Sequence, residues 1–257
     1  MAYETNFEKF LMLIITGITN FASFPGLYIL YHKGMFLHFH IGTFTMATSF
    51  LYHSLEAVQW EQLYLNQGSW HKLDNIGSIL CFILLMVYWM DNLQKKKGNT
   101  YHSKNTCTTD IHLIMGGTAL TLTMQAKHPW LIENTVVPIL VFLALLLVKL
   151  AVVGASRLNK RFFFKGMLFM GFGVMCFVRG LDDQTDYLRF WHGCWHCGVG
   201  LSSFYLWQSI DKDREVKRFK VVKYKKQKRY EFFPVLKNLV TFRFFTDVSE
   251  KPEINKV

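Results

Sequence analysis

Apolar residues along this chain fall in long blocks, without the strict alternation of a half-buried strand or the single stripe of an amphipathic surface helix. Seven blocks stand out: Phe7–Tyr31, Met35–Ala57, Asn75–Met90, Ile111–Gln125, Trp130–Val153, Phe162–Val178 and Phe190–Ile210. A helix of roughly 18 or more apolar residues is long enough to cross a hydrocarbon core of about 30 Å. Each block therefore predicts one membrane-crossing helix. The third and fourth blocks are short, a shortfall met by local thinning of the bilayer or by packing against neighbours. In the fourth, Gly116 and Gly117 predict close approach by another helix. The fold expected is all-α, a polytopic bundle of seven transmembrane helices.

Composition adds a boundary. The chain has 257 residues, 51% hydrophobic and 18% charged, yet its mean hydropathy is only +0.16, because a polar end dilutes the apolar body. The shift falls near Asp211, which divides the chain into a helical domain, residues 1–210, and a basic tail, residues 211–257. The opening MAYETNFEKF lacks a basic leader and a small-residue cleavage site, so the first block is expected to remain as a helix. There are no internal repeats, Gly-rich phosphate loops or low-complexity linkers.

Charge then orients the path. Lys33, the group Lys95, Lys96, Lys97 and Lys104, the group Arg157, Lys160, Arg161 and Lys165, and the tail all fall on one side of a seven-helix path. Glu4, Glu8, Glu56, Glu61, Lys127, Asp182, Asp183 and Asp186 fall on the other. An excess of Lys and Arg marks the cytoplasmic or matrix side, which predicts an outside N-terminus and an inside C-terminus. The tail carries 14 Lys and Arg against 7 Asp and Glu, a net +7 of the chain's +11. Its densest run is KRFKVVKYKKQKRY, Lys217–Tyr230. Basic residues beside a membrane attract anionic headgroups at about 1 kcal/mol each, and Phe232, Phe233, Phe242, Phe244 and Phe245 could dip into the interface. Membrane lipids, with anionic headgroups or a partner protein on the tail, are the expected partners, and nucleic acid is not. A solvated topology signal is the simpler account of the same charge. The host membrane expected is an endomembrane or the plasma membrane, with the mitochondrial inner membrane as alternative.

Five cysteines, Cys81, Cys107, Cys176, Cys194 and Cys197, make no disulfide framework. Cys194 and Cys197 form a CxxC, read as chance spacing within a helix rather than a redox pair.

Ionisable side chains inside a membrane span are costly and point to function. The second block ends TSFLYHSLEA, with Ser49 and His53 four residues apart; the third begins WHKLDNIGS, with Asp74 at its mouth; the seventh begins FWHGCWHCGVG, with His192 and His196 four apart. An i, i+4 pair shares one helical face, so two imidazoles can grip one metal ion, and His53 would supply a third nitrogen. Three protein ligands leave a fourth zinc position for water, the catalytic pattern. In the seven-helix path all three clusters reach the same membrane face. Two other readings stand beside this one: a bis-His haem site using His40 and His53, and a metal-free site in which His and Asp bond one another. Single histidines such as His112 and His128 read as hydrogen-bonded core residues, and His38 and His40 do not share a face.

The set SFLYH, an Asp opening the next helix and HxxWH opening the last resembles the CREST superfamily, which includes alkaline ceramidases, progestin/adipoQ receptors, Per1-like proteins and relatives of myomaker. The resemblance spans roughly residues 7–210 and rests on SxxxH, Asp and HxxxH in the second, third and seventh helices. YHSLE and WHGCWHCGVGLSSF look closest to the myomaker-like and ceramidase-like branches. The resemblance implies zinc held by His53, His192 and His196. It implies that Asp74 positions or deprotonates water, and that Ser49 donates a supporting or oxyanion hydrogen bond. The polar insert EQLYLNQGSWHK between His53 and Asp74 departs from the pattern.

The function expected is a zinc-dependent membrane lipid hydrolase acting on an acyl amide or ester, ceramide-like or phospholipid. The alternative is a non-catalytic subunit or scaffold of a membrane complex that keeps the fold.

Overall fold

The structure is a computed structural model, and it describes residues 5–92, 106–154, 158–182 and 186–210. The basic tail, Glu4, Lys95–Lys97, Lys104, Arg157 and Asp183 lie outside the described residues, as does the side chain of Cys107.

The regular structure of the described residues is helical apart from a hairpin of two two-residue strands and an isolated bridge between Leu158 and Ile210. Its first segment, Asn6–His32, changes pitch on the way. It consists of α1 (Asn6–Met12), a π turn (Leu13–Gly17), a 3-10 stretch (Ile18–Ser23) and α2 (Phe24–His32). There follow α3 (Phe36–Val58), the strands β1 (Gln62–Leu63) and β2 (Leu65–Asn66), α4 (Gln67–Asn92), α5 (Thr106–Lys127), α6 (Ile132–Val153), α7 (Lys160–Arg179) and α8 (Phe190–Leu206). Each of the seven apolar blocks coincides with one helical segment. Four segments are long and apolar enough to cross a membrane: Asn6–His32, Gln67–Met90, Ile132–Val152 and Lys160–Arg179. That is the character of a multi-pass membrane protein.

Local chemistry sets the helix ends. Thr5 and Glu8 form a reciprocal capping box at the start of α1. Helix α3 stops where Gln59 turns left-handed at φ 58°. The most informative boundary is the start of α4. Hydropathy places it at Asn75, with Asp74 at the mouth; the helix in fact begins eight residues earlier. The hairpin turns the chain through Tyr64, and the Asn66 side chain then accepts from the Ser69 amide at 2.8 Å, a capping bond for an otherwise orphaned donor. The first two turns of α4 are polar, so apolarity alone does not register them. Asp74 lies inside the helix as a consequence. Helix α5 likewise extends beyond its apolar block at both ends, to 22 residues.

Helix α4 is the hub, packing on α3, α5 and α6. Ile79, Ile83, Leu84, Met86 and Val87 are buried, so this half of α4 is surrounded. Of the two glycines in α5, Gly117 sits where a Cβ would meet Phe142 at 2.8 Å, whereas Gly116 faces open space; only one of the pair permits close approach. Helix α8 packs on α7 and on the irregular first segment. A Cβ on Gly193 would lie 2.3 Å from the Ile15 carbonyl oxygen, and one on Gly200 would lie 2.5 Å from that of Ala22. These two residues let the backbones nearly touch, with His196 between them in sequence.

Candidate metal centre

The three histidines picked out by spacing meet in space. His53 near the end of α3 and His192 and His196 in the first half of α8 each offer one ligand atom, and these atoms all lie within 4.8 Å of one another. The ring centroids form a nearly equilateral triangle with sides of 4.7, 4.9 and 4.8 Å. Nε2 of His192 is 3.1 Å from Nε2 of His53. Three ligand atoms this close could hold one metal ion.

The fit depends on the nitrogens that face away. Nδ1 of His53 lies 3.1 Å from Oε2 of Glu56. An ionised carboxylate only accepts, so Nδ1 carries the proton and Nε2 keeps its lone pair for the centre. Nδ1 of His196 lies 3.1 Å from the Thr16 carbonyl oxygen and 3.1 Å from the Thr19 hydroxyl. The carbonyl again demands a proton on Nδ1 and leaves Nε2 free. Metal-binding histidines characteristically donate their other ring N–H to a carboxylate or a carbonyl, and two of these three do so. His192 is set by its backbone. Buried Asp186 accepts from the Trp191 and His192 amides at 3.0 and 3.2 Å, fixing the first turn of α8. This donor set could hold a metal ion.

Ser49 and Asp74 join the group. Ser49 is buried one turn before His53 on α3. Its hydroxyl interacts with the Asp74 carboxylate, and Ser78 donates to the same carboxylate at 3.5 Å. Ser49 and Asp74 thus lie together, with Asp74 within electrostatic reach of His53.

Several neighbours were not singled out. Glu56, assigned by charge patterning to an outside loop, belongs to the last turn of α3 and bonds His53. The i, i+3 relation of helix neighbours was the available signal. Arg189 reaches Glu56 Oε1 with Nη2 at 3.1 Å, and nothing in the spacing announces it. Thr16 contributes a backbone oxygen, to which residue type is blind. His71, one turn before Asp74 on α4, stacks on Trp130 at 3.9 Å and leans on Tyr52.

The remaining histidines divide differently from expectation. His112 and His128, expected in the core, are exposed; both lie near the ends of α5, where the apolar pattern thins. His38 lies edge-on to Tyr88 and Trp207. His40 is exposed and His53 is buried. Cys81, Cys176, Cys194 and Cys197 are free thiols.

A family model described as protein of unknown function (DUF3522) matches residues 8–197, a span that takes in every residue of the centre. No curated protein matches the chain.

Proposed function

The chain belongs to the DUF3522 family, and from its histidine centre we propose that it is a zinc-dependent integral-membrane hydrolase of an acyl amide or ester lipid. The observation that carries the proposal is the convergence of His53, His192 and His196 within 4.8 Å, with Asp74 and Ser49 beside them. The proposal includes kinship with the CREST superfamily, supported by the meeting of its SxxxH, Asp and HxxxH positions at one point.

Zinc held by the three Nε2 atoms would supply Lewis-acid polarisation of an acyl carbonyl and activation of water. The chain's own residues do the rest. Glu56 and Thr16 keep Nε2 of His53 and His196 turned inward. Asp74 takes the proton from the attacking water and returns it to the leaving amine or alcohol. Ser49 and Ser78 aim that carboxylate. The engagement of Ser49 with Asp74 favours an aiming role over an oxyanion role, because one hydroxyl proton serves one acceptor at a time.

The same proposal takes the seven helical segments as seven spans, with the N-terminus outside and the C-terminus inside. Its support is the charge along the sequence, Glu8, Glu61, Lys127, Asp182 and Asp183 on one side against Lys33, Lys95, Lys96, Lys97, Lys104, Lys160, Arg161 and Lys165 on the other. Protease protection of a tag after Val257 in sealed vesicles tests the orientation.

The test of function measures zinc content and fatty-acid release on the same purified sample, with labelled ceramides and phospholipids in nanodiscs. One zinc per chain and release from one class is the expected result. Protein that carries zinc but releases acid from neither class would leave the scaffold alternative, in which the metal only braces the bundle.

A further inference from the structure

Rotating His53 away from the centre requires breaking its bond to Glu56, and Glu56 is itself held. Its two oxygens are divided, Oε2 to Nδ1 of His53 and Oε1 to Nη2 of Arg189, both at 3.1 Å. Arg189 is anchored in turn, its Nη1 donating to the Gly180 carbonyl at 3.3 Å. Glu56 and Arg189 are both largely buried, at 15% and 21% side-chain exposure, so solvent screens the pair less than at an open surface. Arg189 also adopts a left-handed backbone at φ 57°, a conformation that costs free energy for a residue with a Cβ. A turn that only had to join α7 to α8 would be better served there by glycine. The arginine head is what this position provides.

We infer that Glu56 is a positioning residue of the histidine centre, and that Arg189 acts through it, so that the turn before α8 sets the metal affinity of a histidine on α3. The inference rests on the reading of that centre as a metal site. In physical terms, the carboxylate fixes the proton on Nδ1 and makes Nε2 a better donor. The guanidinium keeps the carboxylate from swinging out to water. The relay joins two ligands from different helices, because Asp186, three residues before Arg189, pins the His192 backbone.

The test uses full-length protein in nanodiscs, with Zn²⁺ in a chelator competition and Co²⁺ as a spectroscopic probe. Glu56→Gln should weaken Zn²⁺ binding about 10–100-fold, the usual cost of losing such a partner, and shift the Co²⁺ visible bands. Arg189→Met should weaken it less, and Arg189→Lys should recover part of the loss. The double variant Glu56→Gln/Arg189→Met should bind no more weakly than Glu56→Gln alone, since contributions through one shared partner do not add. A purely architectural arginine would instead lower affinity again in the double variant and leave the Co²⁺ bands unmoved in the single one; that result would overturn the role given to Arg189. Wild-type affinity in Glu56→Gln, with binding abolished by His192→Ala, would overturn the inference while leaving the metal site intact. No binding by wild type would remove the metal reading and this inference with it. If Glu56→Gln does not fold, Arg189→Lys decides: unchanged affinity and spectrum would reject the relay.

Discussion

Helices α6 and α8 are opposites in construction. In α6 only 17% of the most apolar stretch is buried within the bundle, against 50% in α4. Leu140, Leu147, Val148 and Val152 all point outward. Helix α8 has 17 residues, two histidines at the centre and glycines where it touches its neighbours, and it falls outside the four segments that are both long and apolar enough to cross a membrane. The contrast has a physical origin. A lipid-facing surface is made by apolar side chains on the outside of a helix, where they raise its hydropathy and need fit nothing closely. A chemical site needs polar groups turned inward, and small residues that bring backbones together. Both needs lower the hydropathy of the helix that meets them.

Removing a ligand should have the largest effect. His192→Ala should abolish metal binding, read as metal per chain after purification. Next comes the chemistry. Asp74→Asn keeps shape and metal but cannot accept the proton, and turnover should fall about 10²–10⁴-fold. Ser49→Ala should cost about 10–100-fold, matching one hydrogen bond to a charged group at about 1.5–3 kcal/mol. Equal rates for Asp74→Asn and wild type would remove Asp74 from the chemistry. Smaller still are the contact glycines. Gly193→Val forces a side chain against the Ile15 carbonyl and should lower stability by about 1–3 kcal/mol in a thermal melt, with metal retention falling in parallel. Gly116→Ala on α5, facing open space, should be neutral or slightly stabilising. The smallest effect belongs to α6: Leu147→Ala, on the outer surface, should change stability by no more than about 0.5 kcal/mol and leave metal content untouched. A larger loss there would mean that α6 is covered by protein rather than lipid.

The helices differ in how plainly the sequence marks them. The blocks at Trp130–Val153 and Phe162–Val178 announce α6 and α7 almost to the residue, because apolarity and helix run together there. The first two turns of α4 were hidden, since Gln67–Lys72 reads as a polar loop until Asn66 is seen to cap it. The five site residues could be picked out because spacing on a helix carries over into space. Their supports mostly could not. Glu56 was visible by its i, i+3 offset from His53 yet was counted as loop charge. Arg189 meets it only through a fold that brings the two ends of α3 and α8 together. The Thr16 carbonyl, an atom every residue possesses, leaves no mark on composition at all.

The π turn at Leu13–Gly17 carries one consequence that lies in chain length. Such a turn holds an extra residue relative to the α-helix it interrupts. Deleting one residue there would let the turn itself wind as α-helix, with little change in apolarity. It would also rotate one side of the break against the other by about 100°, separating the Glu8 carboxylate from the Tyr187 hydroxyl that it now accepts from at 3.0 Å, or Thr16 and Thr19 from His196. The centre is therefore vulnerable to a one-residue deletion in a helix that contributes no ligand, while the outer apolar faces of that helix tolerate exchange of one apolar side chain for another.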